Sequence, residues 1–572
     1  MIQLYKKPFT CLLLLVVIVF LLTACSGDGS TSTVEATDLT STEVTTDAAQ
    51  TTAPELPPSP GNDDAQFYWW NERVFYEIFV RSFLDSDGDG DGDFTGLIEK
   101  LDYLNPEDTS PDEDLGVGGV WLMPIFPSPS YHGYDVIDYY DVNPDYGTME
   151  DFKRVLDEVH ARDIKVIIDM VINHTSDQHP WFIESQNPDS SFRDWYIWSE
   201  TNPGTQGPWG QQVWHLDDSG YYYAVFWGGM PDLNYKNPEV VEEIKEVLRF
   251  WLEDVGVDGF RIDGARHFVE EDGVYADTNA NHEIFKELRT HIKTINPDAL
   301  LLGEVWTSNF AVKKYMEGDE LDLAFDFDLA GAFMNSAASG RANSALNQLS
   351  FSLKQFPHSQ FAPFLTNHDM ERVMSQLGED WDKAKNAATM LLTSPGVPFI
   401  YYGEEIGMVG RKPDEKIRTP MQWSDEKHAG FTTGFPWIPV NTDYPEKNAT
   451  GQSEDPESLL SFYRALIELR NQYDALQIGD TYLINSESPA VYAILRVRGD
   501  ETLMVIVNLS QEPITDYSLS QSDGPLEGSY QVVPLFGDGE FFDLSSNQQG
   551  GFDKYQPLKI LPSNARLILQ LK

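Results

Sequence analysis

The chain predicts an α/β fold: a (β/α)₈ barrel of the TIM type, a subdomain inserted after its third strand, and a C-terminal antiparallel β-sandwich domain. Three observations predict it. Eight short apolar runs alternate with helical patterns after residue 66, the stretch after the third run is long and irregular, and beyond residue 475 the pattern shortens to alternating segments. Runs rich in Val, Ile, Leu and aromatics, separated by helices, mark a parallel sheet buried on both faces. Eight of them fit a closed barrel.

The runs cover 74–80, 117–126, 165–171, 257–262, 299–305, 322–328, 361–366 and 397–402. Amphipathic helices are predicted over 149–162, 239–254 and 282–295. The barrel therefore occupies 66–172 and 238–475, interrupted by an aromatic, irregular subdomain over 173–237. A helix over 456–472 leads to a β-sandwich domain over 476–572, with strands at 481–484, 490–498, 501–508 and 567–571. A length of 572 residues, 41% of them hydrophobic, suffices for several domains and a large core.

The N-terminus reads differently. Lys6 and Lys7 precede an apolar run over 11–22, a signal-peptide pattern too short for a confident transmembrane helix. The run ends in Leu22-Thr23-Ala24-Cys25, which resembles the bacterial lipobox. The resemblance implies cleavage after residue 24, acylation of Cys25, and an extracytoplasmic protein anchored to a membrane at the cell surface or in the periplasm. The alternative is an ordinary secretory signal with an incidental cysteine. Residues 25–65 are Thr, Ser, Asp, Glu and Pro with little to bury, and are expected to be a flexible tether.

Charge excludes some partners. With 39 Lys+Arg against 92 Asp+Glu the net charge is −53, which repels nucleic acid and anionic lipid surfaces. The excess fits either a well-solvated surface or adaptation to high salt, where screening relieves self-repulsion. Both cysteines, Cys11 and Cys25, precede the folded body, so no disulfide framework holds it. A monomer is expected.

The chemistry lies at the C-terminal ends of the predicted strands, which converge on one mouth in such a barrel. Those ends carry Asp169 with Asn173 and His174, then Arg261 and Asp263, then Glu304, then His368 and Asp369. A buried strand avoids unpaired carboxylates, so carboxylates at several strand ends point to a shared use.

These residues sit in Asp169-Met170-Val171-Ile172-Asn173-His174, Gly259-Phe260-Arg261-Ile262-Asp263, Gly303-Glu304-Val305-Trp306 and Thr366-Asn367-His368-Asp369. The four segments resemble, in order, the signature regions of the α-amylase family, glycoside hydrolase family 13. Met230-Pro231-Asp232-Leu233-Asn234 resembles a fifth region, of a subgroup intermediate between oligo-1,6-glucosidase and neopullulanase types. The resemblance implies retaining hydrolysis, with Asp263 as nucleophile and Glu304 as general acid/base. It gives Asp369 the grip on the sugar's 2- and 3-hydroxyls and Tyr134 a stacking role. His174 and His368 would hydrogen-bond hydroxyls of the same sugar. Arg261 points the same way as Asp263 and would keep it ionised. Asp135 is expected to pair with Arg418, a pairing typical of exo-acting α-glucosidases. Arg266 and His267 resemble the α-amylase pair on the leaving-group side.

Asp85-Ser86-Asp87-Gly88-Asp89-Gly90-Asp91-Gly92-Asp93 alternates oxygen ligands with small residues, as a loop around a hard cation does. It departs from an EF-hand, with Gly96 where that loop has Glu. It resembles the Ca²⁺ loop of oligo-1,6-glucosidase-like relatives, which implies ligation by Asp85, Asp87, Asp89, the Asp91 carbonyl and Asp93. Asn173 is expected at a second Ca²⁺ site. The predicted activity is cleavage of α-1,4 bonds in starch-like glucans and maltooligosaccharides. The alternatives are an exo-acting α-glucosidase, a mixed hydrolase and transglycosylase, or a non-catalytic glucan-binding lipoprotein.

Overall fold

The computed structural model describes residues 67–106 and 114–572. The expected signal peptide, the tether and Cys25 lie outside the described residues. Strands β1 (Phe75–Ile78), β2 (Gly119–Leu122) and β3 (Lys165–Met170) precede the insertion. The insertion carries β4 (Trp198–Ser199), β5 (Trp214–Asp217) and β6 (Gly220–Tyr223), paired antiparallel in the order β4-β6-β5. The barrel resumes with β7 (Gly259–Ile262), β8 (Leu300–Gly303), β9 (Leu323–Ala324) and β10 (Phe399–Tyr401). Its sheet runs β10-β1-β2-β3-β7-β8-β9 with every pairing parallel.

The predicted strand over 361–366 closes this sheet without becoming a regular strand. Ala362 N donates to Ala324 O at 2.9 Å on one side, and Val397 N and Phe399 N donate to Phe361 O and Pro363 O at 2.9 Å on the other. Pro363 has no N–H to give, which interrupts the ladder where it would otherwise continue. Alternation then sorts the side chains. Phe75, Trp121, Ile167, Leu300, Leu302 and Phe399 fill the barrel interior. Their neighbours, such as Val120, Ile168, Phe260 and Ile400, face the surrounding helices.

The helices start at capping residues, and the one predicted over 282–295 begins earlier than expected, at Asn279 behind the cap Thr278. Thr148 and Asp151 form a capping box for Met149–Ala161. Asn237 caps Pro238–Arg249, with Pro238 in the first turn where its missing N–H costs nothing. The predicted helix over 239–254 widens after Arg249 into a π-helical turn, Phe250–Val255, ended by Gly256 at φ +100°. There the buried Trp251 donates its indole N–H to Tyr139 O at 2.7 Å.

The C-terminal sequence forms a five-stranded antiparallel sheet in the order Asp480–Leu483, Val491–Arg498, Glu501–Asn508, Arg566–Leu571, Val532–Phe536. A three-stranded sheet of Asn485–Ser486, Leu519–Asp523 and Gly550–Tyr555 shares its apolar core. Arg496 and Arg470 are buried beside the end of helix Trp381–Thr393. They donate to the Thr393 and Leu392 carbonyls, which have no partner within the helix.

Candidate active site

Strand register builds the centre of the site. Asp169 on β3 lies directly opposite Arg261 on β7. Asp263 follows the last residue of β7, and Glu304 follows the last residue of β8. The Arg261 guanidinium is buried over the Trp121 ring, 5.1 Å from its centroid. Its Nη1 donates to Asp169 Oδ1 and to Asp263 Oδ1, each at 2.7 Å, and its Nη2 lies 2.9 Å from Glu304 Oε2. The Gly264 N–H donates to the same Glu304 oxygen at 3.1 Å. One fixed cation thus holds three carboxylates, two of them side by side at the mouth.

The electrostatics set Asp369 apart from the three acids on Arg261. Burial pushes the Glu304 carboxyl above the ordinary range; Arg261 opposes this, and the Asp263 and Asp369 charges add to it. Burial also raises Asp263, against the attraction and hydrogen bond of Arg261. Asp169, buried beneath them, is pushed up to about 7. Burial would raise Asp369 too, but the neighbouring His368 and Arg418 cations hold it far below the usual carboxylate range. Burial lowers His368, yet Asp369 and Glu77 outweigh it and push it up to about 9.

Around this centre stand the remaining predicted residues. His368 Nδ1 meets Glu77 Oε1 at 2.5 Å, and its Nε2 lies 2.7 Å from the Tyr134 hydroxyl and 3.2 Å from Asp369 Oδ2. The Tyr134 hydroxyl donates to Asp169 Oδ2 at 3.0 Å. His174 Nε2 donates to the Tyr134 carbonyl at 3.0 Å, so in this structure it orients Tyr134. Burial lowers its pKa to about 4 and keeps it neutral.

The expected pairing of Asp135 with Arg418 is not formed. Asp135 accepts from Ser128 Oγ at 2.6 Å and from Ser130 Oγ, hydroxyls within its own loop. Arg418 instead donates from Nη2 to Asp369 Oδ1 at 2.8 Å and from Nε to His368 O at 2.9 Å.

On the Glu304 side opens a cavity of about 460 Å³ lined by Trp209, Phe226, Gly264, Arg266, His267, Glu304 and Trp306. Arg266 is fixed by Asp277 at 2.6 Å and by the Trp306 carbonyl at 2.9 Å, and His267 Nδ1 meets the Tyr275 carbonyl at 2.7 Å. Trp209 and Trp306 are 61% and 48% exposed, unusual for so large an apolar ring. Sequence reasoning missed these aromatics, and it missed Glu77. The signal for Glu77 was available: a carboxylate in the apolar run Phe75-Tyr76-Glu77-Ile78.

The alpha-amylase catalytic-domain profile matches residues 77–479. The chain belongs to the α-amylase family. It is 43% identical to Alpha-amylase 3 of Dictyoglomus thermophilum over 450 residues, covering 77% of this chain and 86% of that one. It is 35% identical to an oligo-1,6-glucosidase of Parageobacillus thermoglucosidasius, over 81% of this chain and 95% of that one. The crystal structure of α-amylase from H. orenii is 40% identical with a TM-score of 0.76, covering 87% of this chain and 99% of that one.

In this family member the acidic loop is only partly convergent. Carboxylate oxygens of Asp85, Asp87 and Asp89 lie within 4.8 Å of one another. The Asp91 carboxylate pairs with Arg81 at 2.5 Å. Asp93, expected as a ligand, caps helix Phe94–Glu99 through Gly96 N at 2.7 Å and binds Ser86 N at 2.8 Å. Asp just before a helix satisfies an orphan N–H, and Asp93 does so beside the cluster, as Asp85 accepts from Gly88 N and Gly90 N within it. The donor set of the remaining three, all hard oxygens, fits a hard cation. Asn173 and Asp232 sit together where His174 bridges Asp232 antiparallel. Asn173 Oδ1 and Asp232 Oδ2 are buried with no hydrogen-bond partner.

Proposed function

We propose that this member of the α-amylase family is a retaining α-amylase that cleaves α-1,4-glucosidic bonds in starch-like glucans and maltooligosaccharides. The observation that carries the reading is Arg261 holding Asp263 and Glu304 on its two terminal nitrogens. Two carboxylates on one guanidinium suit the close spacing of a retaining pair, about 5–5.5 Å. Asp263, ionised beside Arg261, attacks the anomeric carbon and the glycosidic bond breaks toward Glu304. Glu304, raised above the ordinary carboxylate range by burial and by the Asp263 and Asp369 charges, acts as the acid that protonates the leaving oxygen. It then takes a proton from the water that hydrolyses the ester. Asp369 stays anionic to bind sugar hydroxyls, and Tyr134 offers a ring face to the same sugar.

The aromatic cavity beyond Glu304 supports a leaving group that is itself a sugar chain, since exposed indoles cover apolar sugar faces. The relative named Alpha-amylase 3 supports the same reading. Early products from maltoheptaose and pullulan test it: mixed oligosaccharides are expected, and glucose alone from the first turnovers would overturn it. That second outcome is the exo-acting α-glucosidase reading, favoured by the relatives named oligo-1,6-glucosidase. The absent Asp135–Arg418 pair counts against it.

We propose Ca²⁺ at the acidic loop, held by Asp85, Asp87 and Asp89, and a second ion between Asn173 and Asp232. An ion bound only by the folded state adds stability, about 2.7 kcal/mol at a hundred times its Kd. Chelation is therefore expected to lower Tm and added Ca²⁺ to restore it. A Tm indifferent to both would rule the ions out. We also propose that Cys25 carries a lipid anchor. Cys25→Ser is expected to move the protein from the membrane fraction to the soluble fraction in a bacterial host, and an unchanged distribution would refute the anchor.

A further inference from the structure

The acidic loop does more than gather carboxylates. Residues 431–437 lie across it as a strap. Asp85 N donates to Phe431 O at 3.0 Å, Thr432 Oγ1 donates to Asp85 Oδ2, and Trp437 N donates to Gly90 O at 2.9 Å. The two backbones touch. A Cβ on Gly90 would lie 2.1 Å from Phe435 O, and one on Gly434 would lie 2.1 Å from Gly88 O. Gly90 and Gly434 are therefore both required by the crossing; Gly90 also adopts φ +112° in the loop's own turn.

The strap ends on Trp437, whose indole reaches the active site by two routes. Its Nε1–H donates to Ser82 Oγ at 3.0 Å, and the Ser82 hydroxyl donates to Arg418 O at 2.6 Å. Its ring stacks on Tyr131, centroids 5.1 Å apart at 22°, and Tyr131 in turn lies 5.9 Å from the Arg418 guanidinium. Arg418 is the cation bonded to Asp369, with its side chain only 4% exposed. Its carbonyl, through Ser82, and its guanidinium face, through Tyr131, thus both connect to one indole, whose backbone N–H is held by Gly90 O of the acidic loop.

We propose that Trp437 is a positioning residue: clamped by the acidic loop, it sets Arg418, and through Arg418 the orientation of Asp369 toward the bound sugar. The proposal rests on the reading of Asp369 as a sugar-binding carboxylate. It assigns a role in positioning to a side chain that reaches the Arg418–Asp369 pair through Ser82 and Tyr131, and it predicts that the loop and the active site are mechanically coupled.

Ser82→Ala removes both hydrogen bonds of the Trp437–Ser82–Arg418 relay and Trp437→Phe removes the first, each breaking the relay while leaving most of the packing. The decisive measurement is kcat per active site on maltoheptaose, with sites counted by trapping the glycosyl-enzyme with a 5-fluoro-α-glycosyl fluoride. Counting sites removes any unfolded fraction, so a purely structural role leaves this number unchanged. Each variant is expected to lose roughly tenfold in kcat per site, because a small misplacement near the reacting centre is costly. The double variant is expected to be no worse than either single one, since all three break the same relay. Undiminished kcat per site in both single variants overturns the proposal, and so do losses that multiply in the double variant. A wild-type protein inert on α-glucans would instead sink the functional reading, which keeps the two failures apart.

Discussion

Asp263→Asn is expected to lower kcat on maltoheptaose by about 10⁴-fold or more and to leave the protein at least as stable at neutral pH. The activity loss follows from the chemistry. Asn keeps the shape and an oxygen that still accepts from Arg261 Nη1, so binding survives, but an amide cannot form the glycosyl ester. The stability effect follows from the sign of the Asp263 shift. Burial outweighs Arg261, so its folded-state pKa lies above the ordinary carboxylate value. In the window between the unfolded and folded values the folded state holds the extra proton, so stability falls as pH rises through it. Above that window the full penalty of the buried charge is present, and Asn removes it. The Tm of Asp263→Asn relative to wild type is therefore expected to improve from pH 4 to pH 8. Residual activity within a hundredfold of wild type would remove Asp263 from the nucleophile's role. A relative Tm that worsens toward pH 8 would show that the charge stabilises the fold. The pattern expected is that of an active-site acid kept at a cost in stability.

The barrel was legible because buried parallel strands leave a coarse mark: each of the eight apolar runs contributes to its wall, although the sixth continues into the helix that begins at Phe327. The seventh escaped regular strand geometry for a local reason, Pro363, which its sequence displays. The catalytic centre was legible for a similar reason: Asp263 and Glu304 stand where an apolar strand stops, and a carboxylate there is conspicuous. Pairing between distant loops was less legible. Asp135 was assigned to Arg418, but Ser128 and Ser130, a few positions away, satisfy it first. Arg418 is then left to Asp369, which the chain delivers from a different strand. Asp93, which the resemblance places at the cation, also stands just before a helix, where Asp is a capping signal, and in the structure it accepts from Gly96 N. For Asp135 two uses of one carboxylate competed, and proximity along the chain decided. Trp209 and Trp306 gave no sign, because an indole reads alike whether it packs in a core or faces a cleft.

Arg261 is the other position where a single change should have a large effect. Removing it strands the carboxylates of Asp169, Asp263 and Glu304 in a low-dielectric pocket over Trp121. Breaking one partner out of a buried ion pair costs about 3–5 kcal/mol, because the remaining charge is left uncompensated. Arg261→Leu is expected to lose that much at pH 8 and to lose most of the activity with it. The cost should depend on pH in a definite direction. Arg261 lowers the pKa of all three acids, so its loss raises folded values that already lie above ordinary, with Asp169 at about 7 in the wild type. Near pH 4 the acids are largely protonated in the folded variant at little cost, and the guanidinium is scarcely missed. As pH rises through the raised values the folded state must either hold protons or bear charge, and the deficit grows. Calorimetry on wild type and Arg261→Leu at pH 4.5 and pH 8 checks this. A Tm difference that shrinks toward pH 8 would mean that the three carboxylates are neutralised by something other than this one cation, and the arrangement proposed for Asp263 and Glu304 would lose its foundation.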